Sequence, residues 1–336
     1  MRKALFIRLD RMGDLVLTLP CDQLIRDRYQ VHWVTPNGLD FVVQSTAPTK
    51  DYTTMGHDFS WKQFFKFFNL VKNINPHVSI SFHVPWWINF ALFLARVPTR
   101  GGVLSQWHSY LFLNKGLRQK RSQCEHHEME YNFLLVEHIM GLKRNTSQWE
   151  PLELKAPELD KNLQFDTQQK YFVVHPGMGG SALNWPTERY KELINQLSER
   201  ATVVITGTKG DDNYLAPLKQ SLKDNHKVVW LDKQLNGYQL LKLLSDAITV
   251  TAPSTGVLHL SASLGVPSLG IYSPIKVHQD KRWGPKGKKA SSFSPQVNCP
   301  AHFECLKEAC DKYPCMARLE SEKLCNASFS FIPSPS

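Results

Sequence analysis

Short, unbroken apolar runs alternate along this chain with longer stretches in which apolar residues recur every three or four positions, the pattern of parallel strands joined by covering helices. In the first half, residues 4–7, 31–35 and 78–82 are the expected strands and 15–29 and 61–73 the expected helices, with Pro20 kinking or restarting the first helix. The aromatic run 84–95 is shorter than the ~20 residues a membrane span needs, so it predicts a buried helix. A helix over 128–140 should be closed by Gly141. The second half repeats the alternation, with strands at 171–174, 202–206, 228–231, 247–251 and 268–272. Helices at 187–200, 213–222, 238–245 and 257–264 separate them, the last ended by Gly265 and Pro267. Between the halves, 150–169 carries Pro151, Pro157 and mixed charge and reads as a linker. The expected fold class is α/β, with one doubly wound domain over 1–155, a second over 156–320 and a tail over 321–336. Such sheets bind ligands beyond the carboxyl ends of their strands, so a site between the halves would collect loops from both.

At 336 residues the chain can bury two cores. Its net charge of +10 favours acidic partners such as phosphorylated glycans, anionic lipid headgroups or nucleic acid, although solubility alone is an equal reading. The stretch 96–121 holds Arg96, Arg100, Lys115, Arg118, Lys120 and Arg121 around Gly101-Gly102 and is expected to be basic and loop-rich, with a solvated surface as the plain alternative. No nucleic-acid-binding motif accompanies the basic excess, so no nucleic-acid partner is expected. The first apolar run is too short for a secretion signal and charge returns at Arg8 and Asp10, which points to the cytoplasm. Surface contact with a bilayer, the inner membrane, is the lesser expectation for this region, from the basic stretch together with Trp86, Trp87 and Phe90. Cys299, Cys305, Cys310 and Cys315 lack the paired spacing of structural zinc sites and read as reduced packing residues, with no metal.

Three places could carry chemistry. The first strand runs into Arg8-Leu9-Asp10-Arg11-Met12-Gly13-Asp14, which puts Gly13 where a tight turn is needed and Asp14 at a helix start that would keep it ionised. Asp14 could accept a proton from an attacking hydroxyl while Arg8 and Arg11 hold an anion, yet spacing alone favours an ordinary helix cap. The second place is His175-Pro176-Gly177-Met178-Gly179-Gly180, whose glycines would let backbone amides approach a phosphate, or simply turn the chain. Nearby Thr206-Gly207-Thr208-Lys209-Gly210-Asp211-Asp212 could bind ribose hydroxyls, but reads first as a helix cap. The third is Thr251-Ala252-Pro253-Ser254-Thr255-Gly256-Val257-Leu258-His259, where Ser254 or Thr255 caps a helix whose free amides form an anion site. His259, three residues beyond Gly256, could reach a phosphate oxygen, although a lone histidine is more often a packing residue.

In their order, Ile7 to Pro20, His175-Pro176-Gly177, Trp185-Pro186-Thr187-Glu188-Arg189-Tyr190, Ser254 to Leu260, Arg282-Trp283-Gly284-Pro285 and Cys315-Met316 resemble glycosyltransferase family 9, the lipopolysaccharide heptosyltransferases. The resemblance implies a GT-B fold of two facing Rossmann-like domains, the acceptor held by the first and a nucleotide-sugar donor, ADP-heptose or a relative, by the second. It implies inversion in one displacement without a metal or other cofactor, with Asp14 as the base. Gly13, Arg8, Arg11, Arg118 and Arg121 would meet an acidic glycolipid acceptor. Gly177, Gly179, Gly180, Thr206, Gly207, Ser254, Thr255, Gly256 and His259 would meet the donor, with Asp211 or Asp212 near its nucleoside. Two positions depart from the family pattern: Leu183 stands where a Lys or Arg is usual, and Ser254 where many members have Asp. The missing charge at Leu183 keeps open a second expectation, a non-catalytic nucleotide-sugar or glycan-binding protein on the same fold.

Overall fold

The computed structural model describes residues 1–158, 163–180 and 182–332, and all structural statements concern these. They divide into two compact units, one made of Met1–Arg121 and His126–Leu152, the other of Ser122–Glu125 and the chain from Glu153 onward.

The first unit is a six-stranded parallel sheet: β1 (Arg2–Arg8), β2 (Tyr29–Pro36), β3 (Asp51–Met55), β4 (Val78–His83), β5 (Thr99–Val103) and β6 (Lys115–Leu117). Their spatial order is β3-β2-β1-β4-β5-β6. The second unit holds β7 (Tyr171–Val174), β8 (Thr202–Ile205), β9 (Val228–Trp230), β10 (Val250–Pro253), β11 (Ser268–Ile271) and β12 (Ala290–Phe293). Its order, β9-β8-β7-β10-β11-β12, is the same once strands are numbered within the unit. Each sheet therefore reverses its winding once, between β1 and β4 and between β7 and β10, and this is where a doubly wound sheet opens a crevice for ligands. Ala4 pairs with Val31 on one side and Val78 on the other, and Val250 pairs with Val173 and Ser268. The fully buried β7 and residues 4–7 of β1 read as continuous apolar runs, as covering both faces of a sheet with helices requires.

Helices end where local chemistry ends them. Trp61–Ile74 starts at Ser60, whose hydroxyl accepts from Gln63 N, and stops at Asn75 in the left-handed region. Glu128–Met140 stops at Gly141, φ 64°. The expected helix over 15–29 is instead a short helix, Met12–Val16, and a 3₁₀ segment, Leu19–Leu24, with Pro20 in its first turn. A proline ring fits that first turn, where its missing N–H is not needed. The basic stretch 96–121 is not loop-rich: it contains β5, helix Trp107–Phe112 and β6. Its glycines are strand residues that admit close neighbours, since a Cβ on Gly101 would overlap Ile139 and one on Gly102 would meet Ser81 O and Leu113.

Residues 321–332 do not trail from the second unit as a tail; the 333–336 part of that expectation lies outside the described residues. Helix Ser321–Phe329 buries Leu324 and Cys325 in the core formed by Phe172, Val174, Leu193 and Val203. No described helix is long and apolar enough to cross a membrane.

Candidate active site

The carboxyl end of β1, beside β4, carries a cluster of charge. Arg8 is 3% exposed and grips Asp10 with two bonds, Nε to Oδ1 at 2.6 Å and Nη2 to Oδ2 at 2.7 Å. Its Nη2 also donates to Asp14 Oδ1 at 2.6 Å. Arg8 was expected to hold a substrate anion; its Nε and Nη2 pair with these two carboxylates, which fixes where Asp14 stands, and its buried Nη1 has no protein partner among the described residues. Gly13 lies inside helix Met12–Val16 rather than at a left-handed turn, and Arg11, not Asp14, occupies the N-cap position. Arg11 and Arg118 are exposed.

The support beneath Asp14 comes from helix Glu128–Met140. Buried Asn132 donates through Nδ2 to Leu17 O at 3.2 Å and Thr18 Oγ1 at 3.0 Å, and Thr18 Oγ1 donates to Asp14 O at 2.7 Å. Arg121, expected to face an acceptor, instead pairs with buried Glu128 and donates to Asn132 Oδ1. Two guanidinium groups are thus set against three carboxylates, Asp10, Asp14 and Glu128.

Burial pushes the Asp14 carboxyl up to about 6; Asp10 and Glu128 add to the rise, and the Arg8 guanidinium opposes it. A helix N-terminus contributes only about 0.3–1 kcal/mol, and the carboxyl is raised in spite of it, so desolvation and like charge outweigh the helix end. The helix start was expected to keep Asp14 ionised, and burial works against it. At neutral pH the group is still ionised, and a conjugate acid near 6 makes it a stronger base than an ordinary aspartate.

The switch point of the second unit is different in kind. Helix Gly256–Ser263 begins at the end of β10 with Thr255 at the N-cap and no acid in its first turn, so its first amides are open to an anion. Ser254 lies one residue before that cap, where its hydroxyl bonds Tyr272 instead. Four buried polar atoms in this region have no protein partner: Thr251 Oγ1, Thr255 Oγ1, His259 Nδ1 and Ser273 Oγ. His259 is 4% exposed, and burial lowers its imidazole to about 4, so it is a neutral hydrogen-bonding group and not a cation. The Trp283 ring packs on Ala252, Leu258 and Tyr272, and Tyr272 Oη donates to Trp283 O at 2.7 Å, which seats the Trp-Gly-Pro motif against this helix.

Next to it, His175 follows β7, is held near 4 by burial, and shares a 3.0 Å hydrogen bond with Thr206 Oγ1. Asp211 is buried and accepts from Thr208 N at 2.8 Å, Thr208 Oγ1 at 2.7 Å and Gly179 N at 3.2 Å. Burial pushes its carboxyl up, but those donors and His175 outweigh it, so its pKa is lowered. Gly177 is glycine because a Cβ there would overlap the Asp211 carboxyl, and Gly179 and Gly180 adopt φ of 56° and 72°. Asp211 thus fastens the glycine loop to the loop after β8, and Asp212 forms an ion pair with Lys233. Gly207 accepts from Lys233 N at 2.8 Å. Ser181, the next residue of the glycine loop, lies outside the described residues.

Leu183 packs against the core of the second unit and against a small cluster of Ile275, Val277 and Ala301. The departure from the family pattern is absorbed as apolar packing. None of the seven cysteines forms a disulfide among the described residues. Sequence reasoning did not single out Asp10, Glu128, Asn132 or Thr251. The first two carry charge that a spacing argument leaves unpaired, and the others are polar residues whose role depends on tertiary neighbours.

The family model for glycosyltransferase family 9 (heptosyltransferase) matches residues 90–312. A Haemophilus influenzae protein named as a candidate glycosyltransferase is 28% identical over 304 residues, 85% of this chain and 86% of that one. The lipopolysaccharide core heptosyltransferase OpsX of the same organism is 21% identical over 282 residues, 80% and 78% of the two chains. Among solved structures, the Escherichia coli ADP-heptose lipopolysaccharide heptosyltransferase II superposes with a TM-score of 0.75 over 98% of each chain at 13% identity, which shows a common GT-B fold. With the family model covering about two thirds of its length, the chain belongs to glycosyltransferase family 9, the heptosyltransferases.

Proposed function

We propose that this glycosyltransferase transfers a heptose-like sugar from an ADP-sugar to a hydroxyl of the lipopolysaccharide core or a related envelope glycan. The names of its relatives support the sugar and acceptor class. The observation that carries the reading is the partly buried Asp14 carboxylate, fixed by Arg8 at the crevice edge of the first sheet. In the step, Asp14 takes the proton of the acceptor hydroxyl as that oxygen attacks the anomeric carbon. The carbon–oxygen bond to the diphosphate breaks on the opposite side, and the nucleoside diphosphate leaves with its electron pair, inverting the centre.

The donor belongs to the second unit in this reading. Amides at the start of Gly256–Ser263, Thr255 Oγ1 and the His259 imidazole meet the diphosphate, so its charge is answered by dipoles. The glycine loop of Gly177, Gly179 and Gly180 and the loop from Thr206 to Asp212 border the nucleoside. Arg11 and Arg118, exposed on the first unit, contact the acidic acceptor, while Arg8 and Arg121 act as positioning residues. An acceptor carried on a lipid brings the enzyme to the inner face of the inner membrane from the cytoplasm.

An Asp14→Asn variant tests the reading. It should bind donor as the wild type does, measured by calorimetry against ADP-heptose, ADP-glucose and UDP-, GDP- and dTDP-sugars, with ADP-sugars preferred. Transfer should fall about 10³-fold, within the range for removal of a general base. A folded variant that transfers at the wild-type rate, or a wild type that ignores ADP-sugars, contradicts the reading.

A further inference from the structure

We infer that the face of the first unit built by helices Trp61–Ile74, Trp86–Leu94 and Trp107–Phe112 seats the enzyme on an anionic lipid bilayer. The inference deepens the glycolipid-acceptor reading and rests on it in taking the partner to be a lipid surface.

The first observation is a concentration of exposed apolar surface. Of thirteen large apolar side chains that stand exposed among the described residues, nine fall between Phe59 and Leu111. Trp61 and Leu111 are 65% exposed and Trp107 62%. These are not scattered residues. Ring centroids link Phe65 to Trp61 at 6.2 Å, Trp61 to Phe59 at 5.3 Å and Phe59 to Trp86 at 5.2 Å. From Trp86 the chain of rings passes through Phe90 to Phe112, which Trp107 meets at 6.3 Å. The inner sides of the same helices are already spent on the core through Phe64, Phe67 and Trp87. Trp87, expected to touch a bilayer, is fully buried with Nε1 bonded to His57 O, so the contact falls to Trp61, Trp86 and Trp107 instead. A connected exposed apolar face of this kind marks an interaction site.

The second observation is charge. Residues 59–121 contain nine Lys and Arg and not one Asp or Glu, so this segment alone supplies nine of the chain's net ten positive charges. Lys62 and Lys66 run beside Trp61 and Phe65 on the same helix, and the Arg100 guanidinium lies 5.4 Å from the centre of the Phe93 ring. Tryptophan, leucine and phenylalanine beside lysine and arginine are what the boundary of an anionic leaflet accepts, rings at headgroup level and cations against phosphate. A second copy of the chain fits poorly, because a two-fold contact would bring Lys62, Lys66 and Arg100 towards like charges and offer them no carboxylate. Nucleic acid would use the cations but gives Leu94 and Leu111 nothing to bury against.

The test is co-sedimentation of the full-length protein with phosphatidylcholine vesicles, with and without phosphatidylglycerol, at low and high salt. Binding should require the anionic lipid and weaken with salt. A Lys62→Gln/Lys66→Gln variant should lose about 25-fold in partitioning, since each basic residue near an anionic leaflet is worth about 1 kcal/mol, or about five-fold. A Trp61→Ser/Trp107→Ser/Leu111→Ser variant should lose more than about ten-fold while keeping its melting temperature and its transfer to a deacylated acceptor. Equal binding to neutral vesicles, or variants that bind as the wild type does, overturns the inference. So does a concentration-dependent dimer abolished by the triple variant, or tighter binding to RNA than to vesicles. Transfer without vesicle binding defeats this inference alone; vesicle binding without transfer defeats only the proposed reaction.

Discussion

Where β1 crosses to β4 the chain gathers Arg8, Asp10, Asp14 and, from a later helix, Glu128; where β7 crosses to β10 it gathers His175, Thr251, Thr255 and His259. The strand order around the two places is the same. Their electrostatics are opposite. The first is crowded with fixed charge in which carboxylates outnumber guanidinium groups. The second has no acid in its helix start and two imidazoles that burial keeps neutral. Topology therefore decides where a crevice can open, and side-chain charge decides what it can do. A charged cluster can tune one carboxylate to take a proton, whereas uncharged donors can receive a diphosphate that arrives with its own negative charge.

Breaking the charged side should give the larger effect. Replacing Arg8 with Gln removes the guanidinium that pairs with both Asp10 and Asp14, and removing one partner of a buried ion pair costs about 3–5 kcal/mol. Urea unfolding should register that loss in the first unit, and a loss under about 1 kcal/mol would mean that the cluster is solvated and not structural. On the uncharged side, Thr255→Val and His259→Ala should each weaken donor binding about ten-fold or somewhat more, the worth of one hydrogen bond to a charged group. Calorimetry with ADP checks this. Unchanged affinity in both variants would move the diphosphate away from the helix start at Gly256.

Much of this contrast is visible in the sequence, and what is hidden has physical causes. Central strands such as β1 and β7 are unbroken apolar runs because both of their faces are covered. Edge and near-edge strands are not: β3 reads Asp-Tyr-Thr-Thr-Met with mostly half-exposed residues, and β5 holds two glycines because Ile139 and Ser81 press on it. Neither shows a periodicity that local inspection can find. The helix over 128–140 and its Gly141 stop are legible because cap chemistry is local. In the site, Asp14, Thr255 and His259 could be named from motifs, but the partners that set their properties could not. Glu128 lies 114 positions after Asp14, and only the folded chain shows that it raises the Asp14 pKa and pairs with Arg121. Asp211 shows the same limit. Its spacing suits a nucleoside ligand, yet its two oxygens already hold Thr208 and Gly179.

The central claim is that the charged cluster raises Asp14 and uses it as the base, and the pH dependence of kcat/KM tests it most directly. With the Asp14 carboxyl near 6, kcat/KM should be flat above about pH 7 and fall with unit slope below about pH 6, because only the deprotonated form accepts a proton. A profile that stays flat down to about pH 4, the range of an unperturbed carboxylate, would contradict the account.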